Sequence, residues 1–303
     1  MGTGGIDILL TKESNNSCDS LFFLAKRTYD FIDALIKDNK LHEFYTDKDL
    51  SEMYTRFSDA FNAASKTNWD FDKELIDVKY ADSWMDTIKR EFPLEMQVLF
   101  LEFVSFMAFL SEIVGKEDEA EKYLDLEDTL AVKIRTDYYR NGYLYDSPDL
   151  NKVRSNVFLS YYIYPDLFDT HTWEKIFDKT LMHLKTDWGG ISTLSQKDPS
   201  YYPNYSGENN ESYHNGDSWF WINNVAAISM THLNEKKFRK EINAIVKSST
   251  DDILKMGTIG YSSEISSSSA QKSEGCMAQL WSSSTYIEMI DFIFVIIKST
   301  ATS

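Results

Sequence analysis

Two kinds of helical segment alternate along this chain, and their alternation limits the folds that the chain can adopt. Segments of the first kind are apolar around most of their circumference, so they must be buried on nearly every side. Segments of the second kind carry one apolar stripe opposite a charged face and are typical of helices that face water. The first kind covers residues 19–37, 93–114, 151–163, 216–233 and 276–298, and the second covers residues 47–65, 117–139, 170–185 and 235–256.

This alternation predicts an all-α fold in which an outer ring of helices wraps an inner ring, an α/α toroid. A four-helix bundle would leave all of its helices half-exposed. An α-solenoid would also alternate, but it repeats a consensus at a fixed period, and the sequence has no such period. With 5 prolines and 12 glycines, the chain has too few turn-forming residues for an all-β protein. We treat residues 1–303 as one domain.

The charge balance excludes several classes of partner. The chain carries 31 basic and 48 acidic residues, a net charge of −17. Because proteins that bind nucleic acid or anionic membranes need a basic surface, we expect neither partner. The most apolar stretch, residues 94–110, contains Glu95, Gln97 and Glu102, and residues 292–297 fall short of the roughly 20 apolar residues of a membrane span. A neutral ligand fits this composition better.

Motifs of the common cofactor and metal sites are missing from the sequence. There is no GxGxxG, GxxxxGK[ST], HExxH or GxSxG pattern, so nucleotide, zinc-protease and serine-hydrolase functions have no support. Cys18 and Cys276 match neither a disulfide framework nor a zinc spacing. Residues 1–6 lack the basic start and apolar run of a signal peptide. We therefore expect a cytoplasmic protein with no metal and no organic cofactor.

Three long connections each lead into a helix of the apolar kind: residues 67–92, 186–215 and 257–275. Connections longer than about 15 residues are usually either functional loops or disordered segments. In a toroid with antiparallel neighbours, the N-terminal ends of all inner helices lie on one face, so these loops should converge there. Because the loops are rich in aromatic and polar residues, we expect the binding site at that face.

One carboxylate in these loops, Asp86, has the surroundings of a general acid. It ends the motif DSWMD at residues 82–86. An aromatic wall such as Trp84 disfavours the charged form of a neighbouring carboxyl group, which is what a general acid needs. The alternative is that Asp82 or Asp86 caps a turn or a short helix.

A second carboxylate, Glu264, lies among serines in the motif YSSEI at residues 261–265. Serine hydroxyl groups could hold it ionised, as a general base requires. The serine run continues to Ser269, however, and such a run is also typical of a flexible loop. In that alternative, Glu264 is a solvated side chain.

The motif SYHNGDSWFW, residues 212–221, opens another apolar segment. Amide, imidazole and indole groups at the positive end of a helix suit the binding of several hydroxyl groups, with aromatic rings packed on the apolar faces of a sugar. Alternatively, Trp219 and Trp221 belong to the core, and Asn215 or Asp217 caps the helix.

Short motifs in one order run along nearly the whole chain. They are CDSLFF (18–23), SWMD (83–86), PLEM (93–96), GYLYD (142–146), RSN (154–156), GISTLS (190–195), YHNG (213–216), WFW (219–221), SEI (263–265) and GCMAQLWS (275–282). This set resembles the C-terminal amylo-α-1,6-glucosidase domain of glycogen debranching enzymes, which belongs to the (α/α)6 glycosidase group. The collinear set is much more specific than any one of its motifs.

The resemblance implies a glycoside hydrolase that removes α-1,6-linked glucosyl residues from glycogen or branched dextrin with inversion. By it, Asp86 matches the general acid and Glu264 the general base. The two carboxyl groups of an inverting enzyme stand about 6.5–9.5 Å apart, which leaves room for a water molecule. No cofactor is implied. Substrate-binding positions implied by the matched motifs are Asp19, Trp84, Glu95, Asn156, Tyr213, His214, Trp219, Gln279 and Trp281.

The same resemblance implies an incomplete (α/α)6-type toroid. About nine of the twelve helices are detectable, and the family's N-terminal helices have no counterpart. We expect a second chain or a homo-oligomer to complete the ring, with an α-glucan or maltooligosaccharide as substrate. Ser192 and Phe220 replace an Arg and a Pro of the family. Two alternatives stay open: a non-catalytic carbohydrate-binding or interaction protein, and another toroid glucosidase, either an exo-α-1,4-glucosidase or a trehalase-like enzyme.

Overall fold

A computed structural model describes residues 18–78 and 83–301, without the side chains of Glu208 and residues 294–301. These residues are mostly helical and contain nine helices, so the predicted all-α class is confirmed. Contacts divide the chain into two compact units, Met1–Tyr138 and Tyr139–Ser303, which we call unit 1 and unit 2. The single domain over residues 1–303 stays a prediction.

Unit 1 is built around one apolar helix, α4 (Leu94–Ile113). It buries 16 of its 20 residues because three helices contact it: α1 (Cys18–Lys37), α3 (Asp47–Asn68) and α5 (Glu117–Tyr138). The Phe100 ring of α4 stacks on that of Phe61 in α3, with 5.3 Å between centroids. The elements of unit 1 are α1 Cys18–Lys37, α2 Leu41–Phe44, α3 Asp47–Asn68, α4 Leu94–Ile113 and α5 Glu117–Tyr138, with β1 Trp69–Asp70 antiparallel to β2 Leu75–Ile76.

Of the helices in the described residues, α4 alone has the length and hydropathy of a membrane-spanning helix. In unit 1, 78% of its most apolar window is buried inside the protein. Such burial is typical of the core helix of a folded domain.

The longest helical element of unit 2 is α8 (Phe220–Lys255). It contacts three other helices: α6 (Asn156–Ile163), α7 (Thr170–Leu184) and α9 (Leu280–Ala301). Asn234 interrupts α8 with non-helical angles, φ −166° and ψ 86°, so the sequence correctly predicts two helices that meet there. The elements of unit 2 are β3 Tyr139–Arg140, β4 Tyr143–Leu144, α6 Asn156–Ile163, α7 Thr170–Leu184, β5 Ser218–Trp219, α8 Phe220–Lys255, β6 Ile265–Ser266 and α9 Leu280–Ala301, with 3₁₀ turns at Pro165–Leu167 and Gly207–Asn209.

Three helices of the apolar kind, α6, α8 and α9, begin four or five residues later than predicted. In each case the residues just before the helix pair with another segment. Arg154 forms a bridge with Leu194, Ser218–Trp219 forms β5, and the Cys276 carbonyl accepts the Glu264 amide. Hydrophobic period alone cannot distinguish such pairing from the first turn of a helix.

The first and last predicted inner helices are less buried than expected. Leu24 and Phe31 of α1 are 41% and 46% exposed, and Leu280 and Ile287 of α9 are 75% and 68% exposed. The expectation of burial on nearly every side is therefore wrong for these two helices. The physical reason is that α1 packs mainly on α4, and α9 on α8, so each has one apolar side without cover among the described residues.

Two of the three long loops meet in unit 2, as predicted. The Trp188 indole donates to the Ser267 carbonyl at 3.1 Å, and the Tyr205 amide donates to the Ser267 hydroxyl at 2.8 Å. The Tyr201 and Ser268 hydroxyl groups lie 2.6 Å apart. Loops 186–215 and 257–275 therefore converge beside the start of α8. Loop 67–92 belongs to unit 1.

Asp217 closes a turn at the end of the first of these loops. Its side chain is fully buried, and its Oδ2 accepts a 2.7 Å hydrogen bond from the Ser212 hydroxyl. The Asp217 amide donates to the Ser212 carbonyl at 2.9 Å. Burial raises the pKa of this carboxyl group to about 7, with a smaller contribution from the charge of Glu274, while the Ser212 hydroxyl acts in the opposite direction.

We expect Asp217→Asn to flatten the dependence of stability on pH. Because the folded pKa is raised above the ordinary 3.8, the folded protein binds more protons between about pH 4 and 7, and the free energy of unfolding falls as pH rises through that window. A tenfold difference in proton affinity between the folded and unfolded states corresponds to about 1.4 kcal/mol. Asn keeps an acceptor for Ser212 and carries no charge. Thermal unfolding from pH 5 to 8 should show the variant gaining stability relative to wild type.

The control is Glu211→Gln, which neutralises an exposed carboxylate in the same loop. Its stability relative to wild type should vary little over this range. A difference between Asp217→Asn and wild type that is equal at pH 5 and pH 8 would contradict the assignment.

Candidate active site

The backbone of Glu264 is fixed by a short antiparallel pairing at the start of α8. β5 and β6 pair with Trp219 opposite Ile265. The Phe220 amide donates to the Glu264 carbonyl at 3.1 Å, and the Glu264 amide donates to the Cys276 carbonyl at 2.8 Å. Glu264 is therefore held between the first residue of α8 and the segment that leads into α9.

Three donors orient the Glu264 carboxylate. Oε1 accepts from the Tyr213 hydroxyl at 2.8 Å and from the Gln279 amide group at 3.2 Å. Oε2 accepts from the backbone amide of Cys276 at 2.8 Å. The structure thus brings together three residues that the sequence places in the site, and it adds the Cys276 amide. The side chain is half-buried, so it is not the solvated residue of the alternative interpretation.

Gly275 allows the chain to approach this carboxylate closely. Its φ is +69°, and a Cβ atom at this position would lie 2.4 Å from Glu264 Oε2. Only glycine adopts this left-handed backbone conformation without strain and also lacks the Cβ atom that would clash with Glu264. Sequence reasoning did not find Gly275 and Cys276 as site residues. Both lie within the motif GCMAQLWS, but nothing in its local composition marks a glycine that must approach a carboxylate or an amide that must donate to it.

Three rings pack together behind the Glu264 carboxylate. The Tyr213 ring lies 4.8 Å from His214 and 4.7 Å from Trp219, and the latter two stack at 5.0 Å with planes 8° apart. The Trp219 indole donates to the Tyr213 carbonyl at 2.7 Å. His214 and Trp219 are buried, and Tyr213 is half-buried. The buried pair therefore supports Tyr213, and contact of the two rings with substrate stays a prediction.

A buried polar network lies beneath these rings. The Arg154 guanidinium donates to the His214 carbonyl and, at 3.0 Å, to Asn215 Oδ1. Its Nε lies 3.1 Å from Asp146, which also accepts from Asn156 at 3.0 Å. Asn156 is fully buried. In this structure it anchors the network that holds residues 214–215, while its predicted contact with substrate stays a prediction.

Trp281 is an exposed aromatic residue near the start of α9. Its ring lies 5.7 Å from that of Trp221 at 76°, and it is 48% exposed. It is the second residue of α9 and lies two residues after Gln279. A half-exposed indole supported by a second indole can pack on the apolar face of a sugar ring.

In unit 1, a buried ion pair shapes the turn that carries Trp84 and Asp86. The Arg90 guanidinium donates to both oxygens of Glu95, at 3.1 Å to Oε2, and to the Ser83 hydroxyl at 2.8 Å. Glu95 is fully buried and Trp84 is 4% exposed. Glu95, a predicted substrate contact, is therefore engaged by Arg90. Buried bidentate pairs of this kind hold a fixed geometry.

The remaining predicted positions of unit 1 lie near that turn in sequence or on α1. Asp86 is exposed and belongs to unit 1, whereas Glu264 belongs to unit 2. The role of Asp86 as general acid stays a prediction. Asp19 is 7% exposed on the first turn of α1. Asp82, the first residue of the DSWMD motif, lies outside the described residues.

In residues 18–78 and 83–301, no group of three or more His, Cys, Asp or Glu side chains is arranged to hold a metal ion.

Comparison with known proteins identifies a matching family and several solved structures with a similar fold. A family model described as amylo-alpha-1,6-glucosidase matches residues 13–288, and no curated protein sequence matches the chain. Among solved structures, a sialidase is similar at 12% identity over 81% of this chain and 24% of its own (TM-score 0.63). A glycosidase in complex with glucose is similar at 10% identity over 91% and 66% (TM-score 0.63). A D-mannose isomerase is similar at 12% identity over 91% and 71% (TM-score 0.55).

Because these identities are low, the structural likenesses establish the fold alone, and an isomerase among them shows that the fold also carries other chemistry. This chain spans about a quarter of the sialidase and about two thirds of the glycosidase. The fold is of the (α/α)6 toroid type, as predicted. The family model covers most of the chain, including both Asp86 and Glu264. The chain therefore belongs to the amylo-alpha-1,6-glucosidase family and is a glycoside hydrolase family domain.

Proposed function

We propose that this protein hydrolyses α-1,6-linked glucosyl residues of glycogen or branched dextrin with inversion at the anomeric carbon. Asp86 donates its proton to the glycosidic oxygen as the bond from that oxygen to the anomeric carbon breaks. A water molecule attacks the anomeric carbon from the opposite face of the ring, and Glu264 accepts the proton that the water loses. The products are β-glucose and a glucan with a free hydroxyl group.

The observation that carries this proposal is the arrangement of donors around Glu264. The Tyr213 hydroxyl donates to one oxygen of the carboxylate and the Cys276 amide to the other, both at 2.8 Å, so the two bonds fix its orientation. A base fixed before substrate arrives needs no reorganisation when the water is deprotonated. Such a carboxylate has unused lone pairs for one water molecule.

The neutral glucan chain fits the exposed aromatic surface beside this site. Trp281 and Tyr261 are 48% and 54% exposed. Tyr261 lies three residues before Glu264, and Trp281 is the second residue of α9. Aromatic rings bind sugars through their apolar faces without needing opposite charge, so the net charge of −17 is compatible with this substrate.

We further propose that a second chain, either another copy or a different protein, covers the exposed sides of α1 and α9. Phe31 on the first helix and Ile287 on the second are the large apolar residues that such a partner would bury. Large apolar side chains exposed in this way are typical of protein interaction surfaces.

We expect Asp86→Asn and Glu264→Gln each to lower kcat by about 10²- to 10⁴-fold, because each variant removes one proton-transfer group and keeps the shape of its side chain. Glucose release from a branched limit dextrin measures the rate. Proton NMR of the first product identifies its anomer, which should be β-glucose for wild type.

Matched controls neutralise exposed carboxylates that lie in the same units. Asp72→Asn and Glu211→Gln, both at exposed positions, should retain wild-type kcat. Full activity of both site variants would overturn the assigned roles. Binding of maltooligosaccharides without hydrolysis by the wild-type chain would instead indicate a carbohydrate-binding protein.

Gly275→Ala should lower kcat more than it raises KM. The added Cβ atom would lie 2.4 Å from Glu264 Oε2, so the carboxylate must move, and a displacement of about 1 Å at a catalytic group can cost about 10²-fold in rate. Steady-state kinetics on the same dextrin separates kcat from KM.

Gly260→Ala is the matched control for that substitution. Gly260 lies in the same loop with φ +89° and has no atom within 4 Å of the added Cβ. It carries the left-handed backbone cost of about 1–2 kcal/mol without the clash. Equal loss of kcat in both variants would show that backbone strain, and not displacement of Glu264, causes the effect.

A further inference from the structure

The Glu264 carboxylate is placed by two segments that must stay together. Residues 261–265 carry Glu264, and residues 273–279 supply the Cys276 amide and the Gln279 side chain. Ile265 and Glu274 exchange backbone hydrogen bonds at 3.0 and 3.3 Å. The backbone amide of Gln279 donates to the Ser262 carbonyl at 2.8 Å. These few bonds, in a loop without long strands, join the two segments.

Asp252 of α8 binds both of these segments. Its Oδ2 accepts the backbone amide of Ser263 at 2.8 Å, one residue before Glu264. Its Oδ1 accepts the hydroxyl of Ser273 at 2.5 Å, three residues before Cys276. The Ser273 hydroxyl in turn accepts the Gly257 amide at 2.8 Å. One carboxylate therefore links the chain on either side of the Glu264 pairing.

The placement of Asp252 is unfavourable for α8 by itself. The residue is fully buried and lies near the C-terminal end of the helix, where the helix dipole disfavours a negative charge. Burial of a carboxylate also costs free energy unless donors compensate it. Its neighbour Asp251 is different, because it pairs with Lys247 and Lys255 on the outer face of α8. The loop contacts are what stabilise a carboxylate at position 252.

We propose that Asp252 is a positioning residue for Glu264: by holding Ser263 and Ser273 together, it sets the hydrogen bond from the Cys276 amide to the Glu264 carboxylate. Its importance for catalysis rests on the proposed role of Glu264 as base. Its effect on the placement of the carboxylate does not depend on that role.

The test uses the full chain labelled with ¹⁵N-cysteine. The sequence has two cysteines, so the spectrum contains one amide signal from Cys276 and one reference signal from Cys18, assigned with Cys18→Ser. Glu264→Gln defines the direction in which the Cys276 signal moves when the carboxylate is lost. We expect Asp252→Ala to move the Cys276 signal in that direction and to leave the Cys18 signal unchanged. Asp252→Asn keeps one acceptor and should move it less.

Asp251→Asn is the matched control, because it neutralises the adjacent carboxylate on the same helix and should leave the Cys276 signal in place. If Asp252→Ala does not fold, Ser273→Ala removes one of the two links and should move the same signal. A Cys276 signal that coincides with wild type in Asp252→Ala, or that moves equally in Asp251→Asn, would overturn the proposal.

The kinetic measurement separates this proposal from the proposed function. With an active wild type, Asp252→Ala should lower kcat by about 10²-fold with a much smaller change in KM, and Asp252→Asn should recover part of that loss. If wild type releases no glucose while the Cys276 signal still moves, the hydrolase proposal fails and the positioning role stands. An unchanged kcat in Asp252→Ala would overturn the catalytic importance of Asp252.

Discussion

The hydrogen bonds that hold the Glu264 carboxylate are the constraint on which the rest of unit 2 depends. A carboxylate in a half-buried place must be given donors, and here they come from Tyr213, Cys276 and Gln279. Each donor requires its own support. Tyr213 needs the rings behind it, Cys276 needs Gly275 to be a glycine, and Gln279 must lie just before α9. Much of the irregular chain in unit 2 can be understood as what these three donors require.

The buried polar network around Arg154 also supports the placement of the Glu264 carboxylate, because it holds the loop that follows Tyr213. Arg154 donates hydrogen bonds to the carbonyl of His214 and to the side chain of Asn215. A buried cation therefore provides the donor for a backbone carbonyl in a loop without regular secondary structure. Asp146 then pairs with the guanidinium and accepts a hydrogen bond from Asn156. Buried networks of this kind favour one geometry strongly, because any member left without its partner is costly.

Hydrophobic period predicted the helices well, since it records which faces must be buried, and it located the break in α8 at Asn234. It did not predict where α6, α8 and α9 begin, because backbone pairing at Arg154, Trp219 and Cys276 has no periodic trace in the sequence. The roles of Gly275 and Asp252 were also beyond sequence reasoning. Both depend on atoms more than ten residues away, or on a dihedral angle, and neither is visible in local composition. The ordered set of short motifs did identify the family, because together they cover many positions spread along the chain.

The interruption of α8 at Asn234 has a consequence for how the protein unfolds. The two ends of this element meet the same short segment: the amide of Phe220 binds the carbonyl of Glu264, and Asp252 binds the amide of Ser263. The two halves of α8 and the loop that carries Glu264 are therefore joined by hydrogen bonds at both ends of α8, and we expect them to open as one cooperative unit. Because both ends of α8 bind this loop, we expect it to be less mobile than its length and its serine content suggest. Local opening of the loop should therefore accompany fraying of one end of α8.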